Sequence, residues 1–286
     1  MKTPLFPLAL ICLLTISCSV QEPDTKDIVA PGDDVFYATL ESYAGPDTKG
    51  YVDEKIKMHW NEGDLISMFK TTLNQEYRFD GKTGDYAGNF KEVPSDSFGT
   101  GNPLDYLCAV YPYQSLTKIG NDDVLTLTLP AEQVYQEGSF GPGANTMVSV
   151  TKGNPLMFKN VGGYLVLKFY GKGVSVSSIT LEGNNGEKLS GKATMKPVID
   201  EVPKITLSDE KATSITLTCD KPVELDESKE NSTVFWMVVP PTSFSKGFKL
   251  TVTGSDGKEF IKNTDKNLSV VRNTLLRIAP IEVKFD

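Results

Sequence analysis

Apolar and polar positions alternate along much of this chain, and a period of two is the mark of a half-buried β-strand. Val124-Leu-Thr-Leu-Thr-Leu129 sets aliphatic against hydroxyl residues and stops at Pro130, and Ser214-Ile-Thr-Leu-Thr-Cys219 repeats the pattern. Each places one face in a core and the other in water, as antiparallel strands do. Leu165-Val-Leu-Lys-Phe-Tyr170, Ile179-Thr-Leu181 and Lys249-Leu-Thr-Val-Thr253 continue the series. Val234-Phe-Trp-Met-Val-Val239 is apolar on both sides and ends at Pro240-Pro241, which predicts a central strand. Gly254-Ser-Asp-Gly257 before Lys258-Glu-Phe260 predicts a hairpin, as does Gly183-Asn-Asn-Gly186 before Glu187-Lys-Leu189. No window of helical period is long enough for a dependable helix. Many short strands at spacings of about 8 to 12 residues point to all-β sandwiches or barrels.

The best domain boundary lies near Lys152-Gly-Asn-Pro155, after the loop Gly138-Ser-Phe-Gly-Pro-Gly143 and a short strand at Met147 to Val150. It separates residues 33–153 from 154–286, and each part has the size of one sandwich. No exact repeat links them.

The N-terminus carries a different signal. Lys2 precedes the apolar run Leu5 to Ile16, too short for a bilayer span of about 20 helical residues, and small residues lead to Cys18. The segment resembles a bacterial lipoprotein signal, with Thr15 where Leu is commonest. By that resemblance residues 1–17 are removed and Cys18 becomes an acylated N-terminus, carrying chains such as palmitate. The alternative is an ordinary signal cut nearby, with Cys18 incidental. Acyl chains at about 0.8 kcal/mol per buried methylene would hold the protein at a membrane. Residues 18–32 then form a solvated tether, and Glu22, Asp24 and Asp27 within it resemble the surface-export signal of Bacteroides-type lipoproteins.

Loss of Lys2 with the signal takes the formal charge from −8 to −9, which disfavours nucleic acid or an anionic membrane surface as partner. Of the 4 cysteines only Cys108 and Cys219 remain besides Cys18, both in apolar strand-like runs, and two buried free thiols are expected rather than a bridge. With 1 histidine and no paired-cysteine motif, no structural zinc site is expected.

Candidates for chemistry are few. His59 beside Trp60 has no serine or cysteine nucleophile in motif context and reads as structural. Asp80-Gly-Lys-Thr-Gly-Asp85 spaces its carboxylates, yet a calcium loop needs more oxygen ligands and a closing glutamate, so a polar hairpin turn is expected. Gly99-Thr-Gly101 and Gly171-Lys-Gly173 open no helix and cradle no phosphate. Trp60 and Trp236 could stack on a sugar, but tryptophans in strand patterns belong first to a core. Neither catalytic residues nor a cofactor are expected.

The order of motifs resembles the fimbrillins and fimbrillin-like (Mfa-like) lipoproteins of Bacteroidetes, which build or cap type V pili. The resemblance runs along nearly the whole chain. It is carried by Val35-Phe-Tyr-Ala-Thr-Leu40, by Met58-His-Trp60 leading to Glu62-Gly-Asp-Leu-Ile66 and Phe69, and by Cys108-Ala-Val-Tyr-Pro112. Leu129-Pro130 with Gln133 and Tyr135, and Phe158-Lys-Asn-Val-Gly-Gly-Tyr-Leu-Val-Leu-Lys168, follow. Ile179-Thr-Leu181, Met237-Val-Val-Pro-Pro241 and Val271-Arg-Asn-Thr-Leu-Leu276 complete it. The fold it implies is two tandem transthyretin-like Greek-key β-sandwiches.

The resemblance also implies a mechanism. In the family, subunits reach the outer membrane as lipoproteins, a protease cuts the loop after the first strand, and a strand from the next subunit fills the opened groove. The physics is β-augmentation, in which backbone hydrogen bonds give strength and alternate side chains fill pockets. Here the first strand would be Asp33 to Tyr43, the loop Ala44-Gly-Pro-Asp-Thr-Lys-Gly50, and the processed bond Lys49-Gly50. The family protease prefers arginine, and Arg78, Arg272 and Arg277 all lie elsewhere. Either a protease accepting lysine acts, or the protein keeps its first strand as an anchor or terminator.

The expectation is therefore a non-enzymatic structural or accessory subunit of a cell-surface fimbria, with other subunits as partners and the lipid as its only membrane contact. The alternative is a stand-alone adhesin or glycan-binding lipoprotein that recognises a host or bacterial surface ligand and retains its first strand. A hydrolase would need a pocket lined by carboxylates. The segment Arg277-Ile-Ala-Pro-Ile-Glu-Val-Lys-Phe-Asp286 reads as a last core strand with little beyond it to donate, which leans towards a tip or accessory position.

Overall fold

The structure is a computed structural model that describes residues 34–42, 58–95 and 99–285 of the 286-residue chain. The expected signal, the tether with Cys18 and the bond Lys49-Gly50 lie outside the described residues. Every described element is a strand, as the period-two patterning predicts. Among the described residues no helix is long and apolar enough to cross a membrane.

The first half of the strands runs β1 (Val35–Leu40), β2 (Leu65–Thr71), β3 (Gln75–Phe79), β4 (Ala87–Glu92), β5 (Pro103–Tyr111), β6 (Lys118–Ile119), β7 (Leu125–Leu129), β8 (Glu132–Gln136), β9 (Ser139–Phe140), β10 (Met147–Thr151) and β11 (Leu156–Asn160). There follow β12 (Gly163–Tyr170), β13 (Ser175–Gly183), β14 (Gly191–Met195), β15 (Thr206–Leu207), β16 (Ser214–Glu224) and β17 (Thr233–Val239). The last are β18 (Thr242–Phe244), β19 (Phe248–Gly254), β20 (Glu259–Asn263), β21 (Leu268–Val270), β22 (Leu275–Arg277) and β23 (Ile281–Glu282).

Seven strands close a barrel in the order β1-β11-β10-β5-β2-β3-β4. Its staves alternate between two cores. Ala109 and Tyr111 of β5 face an aromatic interior with Phe36, Trp60, Phe79, Phe90 and Phe158, while Cys108 and Val110 face outward. The outward face is covered by the sheet β15-β14-β7-β6, whose Leu125, Leu127, Leu129, Ala193 and Met195 pack on Phe69, Val148 and Val150. A third core lies between the six-stranded sheet β20-β19-β13-β16-β8-β9 and the sheet β17-β12-β22, where β23 also joins β12. Leu165, Leu167 and Phe169 of β12 there meet Ile179, Leu181, Leu217 and Val252.

The chain interleaves these layers. The break drawn between residues 153 and 154 falls in the turn of the antiparallel β10–β11 hairpin, and β11 returns to complete the barrel beside β1. β14, from the later part of the chain, pairs antiparallel with β7 from Gly191↔Leu129 to Met195↔Leu125. β8, from the earlier part, pairs parallel with β16.

Two local expectations are corrected. Val234 to Val239 forms β17, but β17 sits at the edge of its sheet with β12 as its only strand neighbour among the described residues. Its second apolar face is covered by packing against Ala144, Phe140 and Tyr164. At Gly183 to Gly186 the chain turns, with Gly186 at φ 71°, yet no hairpin partner follows. Leu189 instead sinks fully into the core, its N–H bonded to Ala212 O at 2.8 Å, and the chain leaves for β14. The Gly254 to Gly257 turn does close the β19–β20 hairpin, with Gly257 at φ 81°, the left-handed region glycine favours.

Candidate functional site

The strand that the fimbrillin resemblance marks as removable corresponds to β1, which is a stave of the closed barrel. It pairs antiparallel with β4, from Val35↔Lys91 to Thr39↔Ala87, and parallel with β11, from Ala38↔Leu156 to Leu40↔Phe158. Phe36 and Ala38 point into the aromatic core, Phe36 edge-on to Tyr77 with ring centres 5.5 Å apart, and Leu40 packs at its margin. Burying Phe36 contributes about 1.5 to 3 kcal/mol relative to leaving it in water. Ala38 is fully buried in the aromatic core opposite Gly88, and a larger side chain in its place would overpack that core.

Side chains hold both ends of the strand. At the start, the Asn154 amide grips main-chain atoms: Tyr37 N–H donates to Asn154 Oδ1 at 2.9 Å, and Asn154 Nδ2 donates to Val35 O at 3.3 Å. Lys70 reaches Asp34 and Glu92 at 3.5 Å each, and the Tyr77 hydroxyl donates to Glu92 at 2.9 Å. Burial is the first cause that pushes the Tyr77 hydroxyl up to about 12.

At the far end three donors converge on the Glu41 side chain. Arg272 Nη1 and Nη2 donate to Glu41 Oε2 and Oε1 at 2.6 and 2.8 Å, and Asn160 N–H donates to Oε2 at 3.0 Å. Glu41 N–H continues the ladder to Phe158 O at 2.9 Å. Arg272 Nη1 also donates to Asn160 O at 3.0 Å, and Asn273 Nδ2 donates to Ser42 O at 2.9 Å. Behind them Asn160 Nδ2 donates to Asn273 Oδ1 at 2.7 Å, and Asn145 Nδ2 to Asn160 Oδ1 at 2.8 Å. The turn between β21 and β22 thus clamps the end of β1.

The residues weighed as candidates for chemistry fall outside this arrangement or serve the core. His59 is exposed and its Nδ1 donates to Gly84 O at 2.5 Å, clipping the 58–60 segment to the β3–β4 loop. That loop is the expected polar hairpin turn, closed by Lys82 N–H on Asp85 Oδ2 at 2.8 Å and an ion pair of Lys91 with Asp80. Trp60 is a core residue, edge-on to Phe90, Tyr111 and Phe158 with ring centres 5.0 to 5.4 Å away, and Trp236 is half-buried. Beside Trp60 lies a cavity of about 320 Å³ whose lining includes Asn61, Tyr111, Gln136 and Asn145 and, among the described residues, no carboxylate. Cys108 and Cys219 are free, Cys108 buried as expected and Cys219 half-buried.

Glu41, Asn154, Asn160 and Arg272 were not singled out by sequence reasoning. The sequence hints are that Asn160 lies in the Phe158 to Lys168 motif and that Arg272, one of three arginines of the chain, lies in the Val271 to Leu276 motif.

The described molecule is thus an all-β protein with a closed barrel and a strand slot gripped at both ends. No family model matches the chain, and no curated protein matches it. Its structural neighbours include proteins described as proposed cell adhesion proteins and as fimbrial proteins. A proposed cell adhesion protein from Bacteroides uniformis shares 16% identity over 87% of this chain and 92% of that one, with a TM-score of 0.47. A fimbrial protein from Bacteroides ovatus shares 15% over 87% of this chain and 50% of that one, TM-score 0.37. The tip fimbrial protein Mfa3 from Porphyromonas gingivalis, with a C-terminal truncation, shares 11% over 85% of this chain and 94% of that one, TM-score 0.30. These are similarities only.

Proposed function

We propose that this chain is a non-enzymatic structural or accessory subunit of a cell-surface fimbria, assembled with other subunits by strand exchange in the slot of β1. It is delivered as a lipoprotein acylated at Cys18 on the outer membrane and processed at Lys49-Gly50. The observation that carries the reading is that β1 has a strand on each side in a closed barrel. Taking it away leaves two unpaired edges and an apolar floor around Trp60, a site that a foreign strand can fill. The division into two tandem transthyretin-like sandwiches is part of the same proposal. In it residues 33–153 are one unit and 154–286 the other, with β11 and β14 of the second pairing with β1, β10 and β7 of the first, and β8 of the first pairing with β16 of the second.

The alternative, a surface adhesin that keeps its first strand, is favoured by one observation: the bidentate Glu41–Arg272 pair resists release of β1. One experiment separates the two. The protein is treated with trypsin, its new N-terminus mapped and its oligomers sized. Cutting at Lys49 with ladders of multimers supports the fimbrial subunit. Resistance to cutting, with a monomer that retains residues 34–42, overturns it in favour of the adhesin.

A further inference from the structure

The slot of β1 has two kinds of contact, and they do different things. Asn154 and the ladders to β4 and β11 touch main-chain atoms, so they hold any extended strand regardless of sequence. The Arg272–Asn160 pair touches a side chain, and it accepts only one geometry. A carboxylate offers two oxygens to the guanidinium fork while Oε2 also takes the Asn160 N–H. A glutamine turns an NH₂ group towards one of those donors, and an aspartate is one methylene short of the fork. Both Glu41 and Arg272 are only 20% exposed, so water replaces the lost partner poorly.

The same pair sets register. Because strand side chains alternate in direction, a one-residue slip would turn the Phe36 and Ala38 positions out of the core and carry the carboxylate away from Arg272. Apolar burial alone tolerates a slip of two residues wherever the strand continues its alternation. The ion pair does not.

We infer that the β1 slot selects its occupant by a glutamate at the register of Glu41, read by Arg272 and Asn160 N–H. The partner is an extended segment of another chain with a large apolar residue at the register of Phe36, a small one at Ala38, an apolar one at Leu40 and glutamate next. This rests on the strand-exchange reading above and adds to it the side chain that decides which strand is accepted.

The test uses the full chain clipped by trypsin at Lys49 and a fluorescent peptide of residues 34–42 as incoming strand. Companion peptides replace the glutamate by glutamine or by aspartate, or move it by one position. The expected result is that the glutamate peptide enters and the others occupy the slot about ten-fold or more weakly, as loss of a charge-assisted hydrogen bond predicts. In Arg272→Gln the glutamate and glutamine peptides should come within about two-fold of each other; if that variant does not fold, the peptide series on the unmodified chain decides alone. Equal entry of all peptides overturns the selectivity and leaves strand exchange standing. Failure of every peptide, the glutamate one included, overturns strand exchange itself and this inference with it.

Discussion

The Gln133 side-chain amide pairs with the main chain of Val238: its Nε2 donates to Val238 O at 2.7 Å, and its Oε1 accepts from Val238 N–H at 2.9 Å. Gln133 is buried, and this pair does for the open edge of β17 what a neighbouring strand would do. An apolar strand such as β17 with a bare edge would invite pairing with another molecule, so the amide closes an unwanted docking edge.

Gln133→Ala should therefore have two effects. Stability in urea should fall by about 1 to 3 kcal/mol, since two buried main-chain groups lose their partner. Sedimentation velocity should also show new self-association. A variant that stays monomeric with unchanged stability would contradict the capping role.

In the intact chain, Glu41→Ala and Arg272→Ala should each destabilise by about 1.5 to 3 kcal/mol at low salt, because each leaves the other's charge short of its main partner. The double variant should cost less than the two single ones added, with a coupling of about 1 kcal/mol or more. A double-mutant cycle by chemical denaturation reads this directly, and purely additive losses would show that the pair does not act as a unit.

Asp64 gives a pH signature. Burial, its largest influence, raises its carboxyl above the ordinary 3.8, against the lowering effect of hydrogen bonds from Asn61 N–H at 2.7 Å and the Tyr111 hydroxyl at 3.2 Å. A raised folded-state value means that the group's stabilising contribution is complete below the unfolded value near 3.8 and is lost as pH rises through the folded value. Asp64→Asn should accordingly gain on the unmodified protein between pH 3 and pH 7. Denaturation series at several pH values check the trend, and a difference that stays flat or runs the other way would refute the burial argument.

The two free thiols should be slow to react. Burial pushes Cys108 up to about 12 and Cys219 up to about 11, so the reactive thiolate is scarce in both near neutral pH. Maleimide labelling of folded protein at pH 7.5, read by peptide mapping, should modify half-buried Cys219 slowly and fully buried Cys108 only after unfolding. Rapid native labelling of Cys108 would be inconsistent with its place beneath β7.

Strand positions were largely legible in the sequence because patterning is local. Leu125 to Leu129 alternates, and each of its leucines is buried against the outside of the barrel. Neighbours were not legible. Val234 to Val239 reads as a central strand because both its faces are apolar, yet one of those faces is covered by Ala144, Phe140 and Tyr164, and its free edge by a glutamine. The Gly183 to Gly186 turn has the right residues for a hairpin, but burial of Leu189 draws the chain to another sheet. Of the candidate site, β1 itself was readable as an early strand, whereas its grips were not: Asn154 and Arg272 are single polar residues whose partners lie 117 and 231 positions away.

By itself the sequence determined a chain of short strands, their inward faces and the turns at positions such as Gly257, because alternation and turn geometry depend only on adjacent residues. Only the tertiary structure decided that β1 closes a barrel between β4 and β11 and that Glu41 meets Arg272. Backbone hydrogen bonds are the same for every strand, so partners are chosen by which apolar faces bury together and which charges must then be matched.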